Sequence, residues 1–327
     1  MTPPLVSVII ANWNGAHHLR LCLPSLRAQT HPALEIIVVD NGSSDDSAAV
    51  AGEHNARWLP LAQNLGLAPA LNQGASSASG DFLLFVNNDM RFDPGFVSAL
   101  LAPFSSGDRL FATDGMQFDW EGAIAAHLAV RLTKRPPADR PSVQLVPGLF
   151  FYQQPVAQPV PVFLASAACM LVRKSVFDEL GGFDGRLPLG YEDAEICWRA
   201  SALGWKIVYV PSAVCWHRIG ASGRSLEGAR FNFRGILKGR LLLSTKLLPL
   251  RYAVVTWLVS TVALLKDLRP RRWPFAKDRV KVLLEFAFLL PRFLAEKRAL
   301  FRAAGITPRQ QLARLLQLTT EEGTPRP

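Results

Sequence analysis

Phe82 to Val86 is a run of five apolar residues without a polar break, and it stops abruptly at Asn87-Asn88-Asp89. A continuous apolar run of this length reads as a strand buried on both faces, which requires helices on both sides of a largely parallel sheet. Two similar runs precede it, Leu5 to Ala11 (LVSVIIA) and Leu34 to Val39 (LEIIVV), with a helix-compatible segment, Ala16 to Ala28, between them. That is a βαβ pattern. Ligands of open α/β sheets bind beyond the carboxyl ends of the strands. Asp40 and Asp89, read as the same position on two parallel neighbours, are therefore placed to meet a ligand or a divalent cation. Asn-Asn-Asp ahead of Pro94-Gly95 also has the composition of a plain turn, and the run alone does not choose between the two.

The alternation continues through the first two thirds of the chain. NGSSDDS after Asp40 supplies turn and N-cap residues for a short helix through Ala51. Arg57 to Leu61 and Leu110 to Phe118 read as strands, Leu67 to Ser77 and Phe96 to Phe104 as helices. Prolines 136, 137, 141, 147, 155, 159 and 161 argue against long regular elements, so residues 119–161 are expected to make an extended excursion over the surface. Order is expected again from Val162 to Val172, then helices over Lys174 to Leu180 and Glu192 to Leu203, the second closed by Gly204. Lys206 to Val210 is a last strand leading to Cys215-Trp216-His217.

Charge divides the chain. Residues 1–217 carry 14 Lys/Arg against 19 Asp/Glu, whereas residues 218–327 carry 22 against 7, so the net +10 belongs to the C-terminal third. That third reads as long helices mixing Leu, Val and Phe with Arg and Lys. Its longest apolar-rich run, Tyr252 to Leu265, has 14 residues, short of the roughly 20 that cross a bilayer. Such a basic amphipathic segment suits the interface of an anionic membrane, with packing on a second subunit as the other reading. Interleaved apolar runs argue against a nucleic-acid face. The four cysteines lack paired metal spacing, and no secretory signal pattern opens the sequence, which points to a reducing cytoplasm.

The motifs, taken in order, are VSVIIANWN, VVDNGSSDDS, NLGLAPALNQG, FVNNDM, ASAACMLVRKSVFDELGGFDGRLPLGYEDAEICWR and GWKIVYVPSAVCWH. Together, over about residues 5–225, they resemble the inverting family 2 glycosyltransferases of the GT-A fold, most closely the rhamnosyltransferase-like branch. The resemblance implies a Rossmann-like mixed α/β sheet flanked by helices over residues 1–228; the basic helical segment that follows, 229–327, is expected from its composition to associate with membrane or with another subunit.

It also implies roles. Asp40 would accept hydrogen bonds from a pyrimidine ring flanked by Ala11 and Trp13; Asn64, Gly66 and Asn88 would help hold the nucleotide. Asp89, with His217 as second ligand or as a donor to the diphosphate, would hold Mg²⁺ or Mn²⁺ and so offset the leaving group's charge. Asp193 would be the general base, with Glu192 and Trp198 in acceptor-side or supporting places. A helix N-terminus favours the anionic form of Asp193, while burial beside Glu192 favours the protonated one. The loop HRIGASGR would close over bound donor.

The implied reaction moves a sugar from a dTDP- or UDP-sugar to a saccharide or lipid-linked saccharide, on the inner face of the cell membrane. Two departures stand out. Asn87 and Asn88 replace the acids of many relatives, leaving one carboxylate at that strand end, and Ala167 stands where glycine is usual. Two other classes are weighed. A sugar-phosphate nucleotidyltransferase would carry a glycine-rich loop with Lys or Arg after the first strand, where this chain has ANWNGAHH. An inactive scaffold would use only its basic tail.

Overall fold

The computed structural model describes residues 2–123, 125–187, 190–218 and 226–318. They divide into two compact units. The first comprises Met1–Val130, Gln154–Pro188 and Trp205–Ile219, the second Arg131–Gln153, Leu189–Gly204 and Gly220–Pro327.

In chain order the first unit opens with β1 (Val6–Asn12), α1 (Ala16–Arg27), β2 (Leu34–Asp40), α2 (Ser47–Glu53), β3 (Arg57–Pro60), α3 (Leu67–Ser77), β4 (Phe82–Asn87), β5 (Met90–Phe92), α4 (Phe96–Leu101), β6 (Leu110–Asp119) and β7 (Ala125–His127). The strands β8 (Ala129–Thr133), β9 (Ser142–Val146) and β10 (Leu149–Gln154) follow, then β11 (Val160–Pro161), β12 (Cys169–Arg173) and α5 (Lys174–Glu179). Helix α6 (Glu192–Ala202) precedes the long strand β13 (Lys206–His217), and α7 (Leu226–Lys246), α8 (Leu250–Asp267), α9 (Trp273–Ala304) and α10 (Pro308–Gln317) complete the described chain.

The first unit is built on one sheet of order β11-β13-β6-β12-β4-β1-β2-β3, with β5 and β7 added at β13 and β6. β1 pairs in parallel with both β2 and β4, and Asn12 lies opposite Asp40. Asp40 at the end of β2 and Asp89 just past β4 are thus separated by β1 and do not end adjacent strands. β12 runs against both of its neighbours, which makes the sheet mixed. Period-two alternation sorts β1 between the two faces. Val6, Val8 and Ile10 join Leu19, Leu23, Leu26, Val50 and Phe96 in one core cluster, while Ile9 meets α3 on the other face.

The second unit contains a three-stranded sheet, β8-β10-β9, and the basic helices. The excursion expected over residues 119–161 is therefore not extended chain but strands β7 to β11. Its prolines fall in the links and at strand ends, where no ladder N–H is required. Two boundaries also move. The helix from Phe96 gives way to a 3₁₀ turn, Ala102–Ser106, at Pro103, and the order expected from Val162 takes the form of a strand only from Cys169.

Helix α3 approaches the sheet through Gly74, where a β-carbon would strike the Ile9 side chain and lie 2.8 Å from Val39 Cγ2. Both neighbours are fully buried. Gly74→Ala is expected to lower stability by about 1–3 kcal/mol through overpacking, read as a fall in the thermal unfolding midpoint.

Candidate functional site

The carboxyl ends of β1, β2 and β4 are joined by side-chain amides. Asp40 accepts the backbone N–H of Ser43 at 3.1 and 3.2 Å. Asn12 Nδ2 donates to Ser43 Oγ at 3.3 Å, and Asn12 Oδ1 accepts from Asn88 Nδ2 at 2.8 Å. Gly15 leaves room for that last bond, since a β-carbon there would collide with both amides. Asn41 organises the adjoining loop, accepting from Leu65 N at 2.8 Å and donating to Asn64 Oδ1 and the Gly66 carbonyl. Gly66, at φ +91°, turns the chain into α3. Its N–H donates to Asn64 Oδ1, so both loop amides are engaged internally and shape the loop. Asn72, by contrast, lies inside α3 and binds the backbone of Phe183. Trp13 is 58% exposed beside this edge, and Ala11 is half-buried.

Asp89 sits in the turn after β4, not in the strand. A two-residue link returns the chain into β5, whose Met90 pairs with His217 at the end of β13. This pairing brings residues 128 positions apart together: His217 Nε2 lies 3.2 Å from Asp89 Oδ1 and 3.4 Å from Asn87 Nδ2. On the other side of the ring Nδ1 meets Gln117 Oε1 at 3.2 Å. Because Gln117 Oε1 can only accept, Nδ1 carries the proton, and in the neutral ring the Nε2 lone pair faces the carboxylate. There the lone pair can accept from Asn87 Nδ2 or, together with Asp89, ligate a metal ion.

The donor set fits Mg²⁺ or Mn²⁺. Asp89 Oδ1 and His217 Nε2, 3.2 Å apart, are an oxygen and a nitrogen donor close enough to share one ion. Among the described residues no group of three His, Cys, Asp or Glu converges here, so water and phosphate oxygens would supply the other positions, as Mg²⁺ usually requires.

Behind His217 the network runs inward. Gln117 Nε2 donates to Cys169 Sγ at 3.3 Å, Cys169 Sγ donates to Asp114 Oδ1 at 3.4 Å, and Asp114 Oδ2 pairs with His127 Nε2 at 2.6 Å. Burial pushes the Cys169 thiol well up, with Cys215 and Asp114 adding to the shift. All four cysteines are free and buried. Arg218 stacks on Trp120, 4.8 Å from the ring centre, and its N–H donates to the Asp89 carbonyl. Most of the loop proposed to close over donor, including Arg224, lies outside the described residues.

Glu192 and Asp193 belong to the second unit and open α6. Tyr191 precedes them in the left-handed region, φ +70°, a strained conformation for an aromatic residue. Its hydroxyl donates to the Leu145 carbonyl at 2.9 Å, accepts from Arg240 Nε at 3.3 Å, and its ring fills the space over Gly239. Glu192 is 4% exposed and its Oε2 has no hydrogen-bond partner among the described residues. Burial, and then the charge of Asp193, push its carboxyl up to about 8. Asp193 is half-buried and accepts from Ala194 N at 2.7 Å. Trp198 is fully buried.

The family profile described as Glycosyl transferase family 2 matches residues 7–181. An N-acetylglucosaminyl-diphospho-decaprenol L-rhamnosyltransferase of Mycobacterium tuberculosis is 31% identical over 244 residues, covering 67% of this chain and 78% of that protein. The chain belongs to glycosyl transferase family 2. Another relative is a poly-β-1,6-N-acetyl-D-glucosamine synthase of Staphylococcus epidermidis, 22% identical over 64% of this chain and 49% of its own length. Among solved structures, a mannosyltransferase from Pyrobaculum calidifontis in complex with GDP-Man and Mn²⁺ matches with TM-score 0.52 at 15% identity, covering 98% of this chain and 82% of that one. GalNAc-T7 with UDP, GalNAc and Mn²⁺ matches with TM-score 0.59 at 17% identity, covering 86% and 55%. The family 2 chain therefore has the GT-A fold, a mixed α/β sheet flanked by helices, as its motifs imply.

The position of Glu192 has a consequence for pH. In the unfolded chain it ionises near its ordinary 4.5, in the folded protein near about 8. Between those values the unfolded state releases a proton that the folded state keeps, so stability falls as pH rises. Glu192→Gln removes this slope, and its melting temperature is expected to gain on that of the wild type from about pH 5 to about pH 8.

Proposed function

We propose that this family 2 glycosyltransferase moves a sugar, with inversion, from a dTDP- or UDP-sugar to a saccharide or lipid-linked saccharide acceptor in cell-surface polysaccharide synthesis. The observation that carries the reading is the meeting of Asp89 and His217 at the strand edge where Asp40, Asn12 and Asn88 are tied together. The named activity of the Mycobacterium tuberculosis relative supports rhamnose as the sugar and a lipid-linked acceptor.

In this mechanism the exposed Trp13 ring and Ala11 flank the base. Asp40 uses only part of its acceptor capacity on Ser43, leaving lone pairs for a pyrimidine N–H. Asn64, Gly66 and Asn88 shape the loop and edge against which the nucleotide lies. Asp89 and His217 would hold Mg²⁺ or Mn²⁺, which would supply positive charge against that of the leaving nucleoside diphosphate. Gln117 fixes the ring of His217 so that Nε2 faces Asp89. Asp193 removes the proton of the acceptor hydroxyl as it attacks the anomeric carbon from the side opposite the diphosphate. Burial and the charge of Asp193 favour the protonated form of Glu192, which leaves the base role to Asp193. Trp198, a fully buried residue of α6, has a supporting place.

Asp89→Ala and Asp193→Asn are each expected to abolish transfer, a loss of at least about 10²-fold, followed by nucleoside diphosphate release over a panel of donors. Only Asp89→Ala should also weaken metal-dependent nucleotide binding in calorimetry. Retained turnover in either purified variant sinks the assignment.

A further inference from the structure

Helix α8 is folded inside out for a helix packed on a protein core. Its buried face carries Tyr252, Thr256, Ser260 and Asp267, and Thr256 Oγ1 there has no hydrogen-bond partner among the described residues. Most of its aliphatic residues face outward. Leu250, Val254, Leu258, Val262 and Leu265 recur at helical spacing as one exposed stripe, Leu258 by 61% and Leu265 by 69%. The stripe continues through Leu268 and along the first half of α9, in Trp273, Val280, Leu284 and Phe288, the last 86% exposed. Where the two helices meet, an open groove of about 440 Å³ is lined by Leu264, Leu268, Trp273, Val280 and Leu284.

Charge says what covers this face. Lys266, Arg269, Arg271, Lys277 and Lys281 stand exposed around it. Between residues 250 and 288 the carboxylates are Asp267, Asp278 and Glu285, and each already has a partner. Asp267 binds Arg272 and Arg279, Asp278 binds Arg230 and Arg234, and Glu285 binds Lys238. The face is therefore apolar at its centre, cationic at its margin and without an anion of its own.

We propose that the outer face of α8 and the first half of α9 docks on an anionic lipid bilayer, lying in the plane of the interface. The apolar stripe would enter the boundary between headgroups and acyl chains while the lysines and arginines stay at headgroup level. Among the described residues no helix is long and apolar enough to cross a membrane, which matches a helix that lies flat. A second copy of the chain fits less well. A two-fold contact sets the same patch against itself, and here it would bring the cationic margins together with no carboxylate to separate them. Nucleic acid would use the cations but leave the apolar stripe in water.

The test is co-sedimentation of the full chain with phosphatidylcholine vesicles with and without phosphatidylglycerol. Wild-type protein should partition to the anionic vesicles about tenfold or more over the neutral ones, and high salt should weaken that preference. Leu258→Glu with Leu265→Glu and Phe288→Glu should lose binding, and serine at the five cations should lose the preference for anionic lipid. Circular dichroism and thermal melting establish that both variants are folded; the substituted side chains are exposed. Wild-type protein left in the supernatant, or a folded glutamate variant that binds like wild type, overturns the proposal. So does a wild-type dimer in sedimentation velocity that the glutamate variant dissolves, which would assign the face to a second copy. No sugar donor enters the assay, so its outcome is separate from that of the transfer reaction.

Discussion

The side-chain amide of Asn12 is the point on which the polar edge of the sheet depends. It is 1% exposed, donates toward the end of β2 through Ser43 and accepts from Asn88 just past β4. A buried amide that loses a partner costs about 1–3 kcal/mol, so these bonds hold the two flanking strand ends in a fixed relation to β1. They also explain why asparagines suffice at positions 87 and 88. Asn88 acts as a structural donor to Asn12, and Asn87 donates toward His217, so acidic side chains there would have introduced charge where a neutral donor is used.

The parallel register does the rest. With Asn12 opposite Asp40 and Ala11 opposite Asn87, the polar ends of three strands arrive at one level, and the apolar runs behind them form the buried layer. β13 then crosses from the other side of the sheet, and its pairing with the short β5 delivers His217 to Asp89. The inward chain from Gln117 to Asp114 anchors that histidine in buried structure, so its ring is oriented by more than one bond.

The strands were legible because their β-branched runs are unbroken, and the family motifs marked Asp40, Asp89, Asp193 and His217. Other features follow from long-range packing and leave little local trace. The position of β1 between β2 and β4, the reversed direction of β12 and the meeting of Gln117 with His217 are set by tertiary pairing. The prolines of residues 119–161 disguised five strands because they lie in the links and at strand ends. The burial of Glu192 has no signature beyond its neighbour Asp193. The outward apolar face of α8 was visible only as composition until the helix showed which residues it buries.

Tyr191 carries a further consequence. A left-handed backbone at an aromatic residue costs of order 1–3 kcal/mol, and here the ring over Gly239, with bonds to Leu145 and Arg240, keeps it in place. The strain is incurred when the second unit folds, before any substrate arrives. The start of α6 is thus preorganised, and the direction in which Glu192 and Asp193 leave the backbone is settled by α7 and β9 and owes nothing to a ligand.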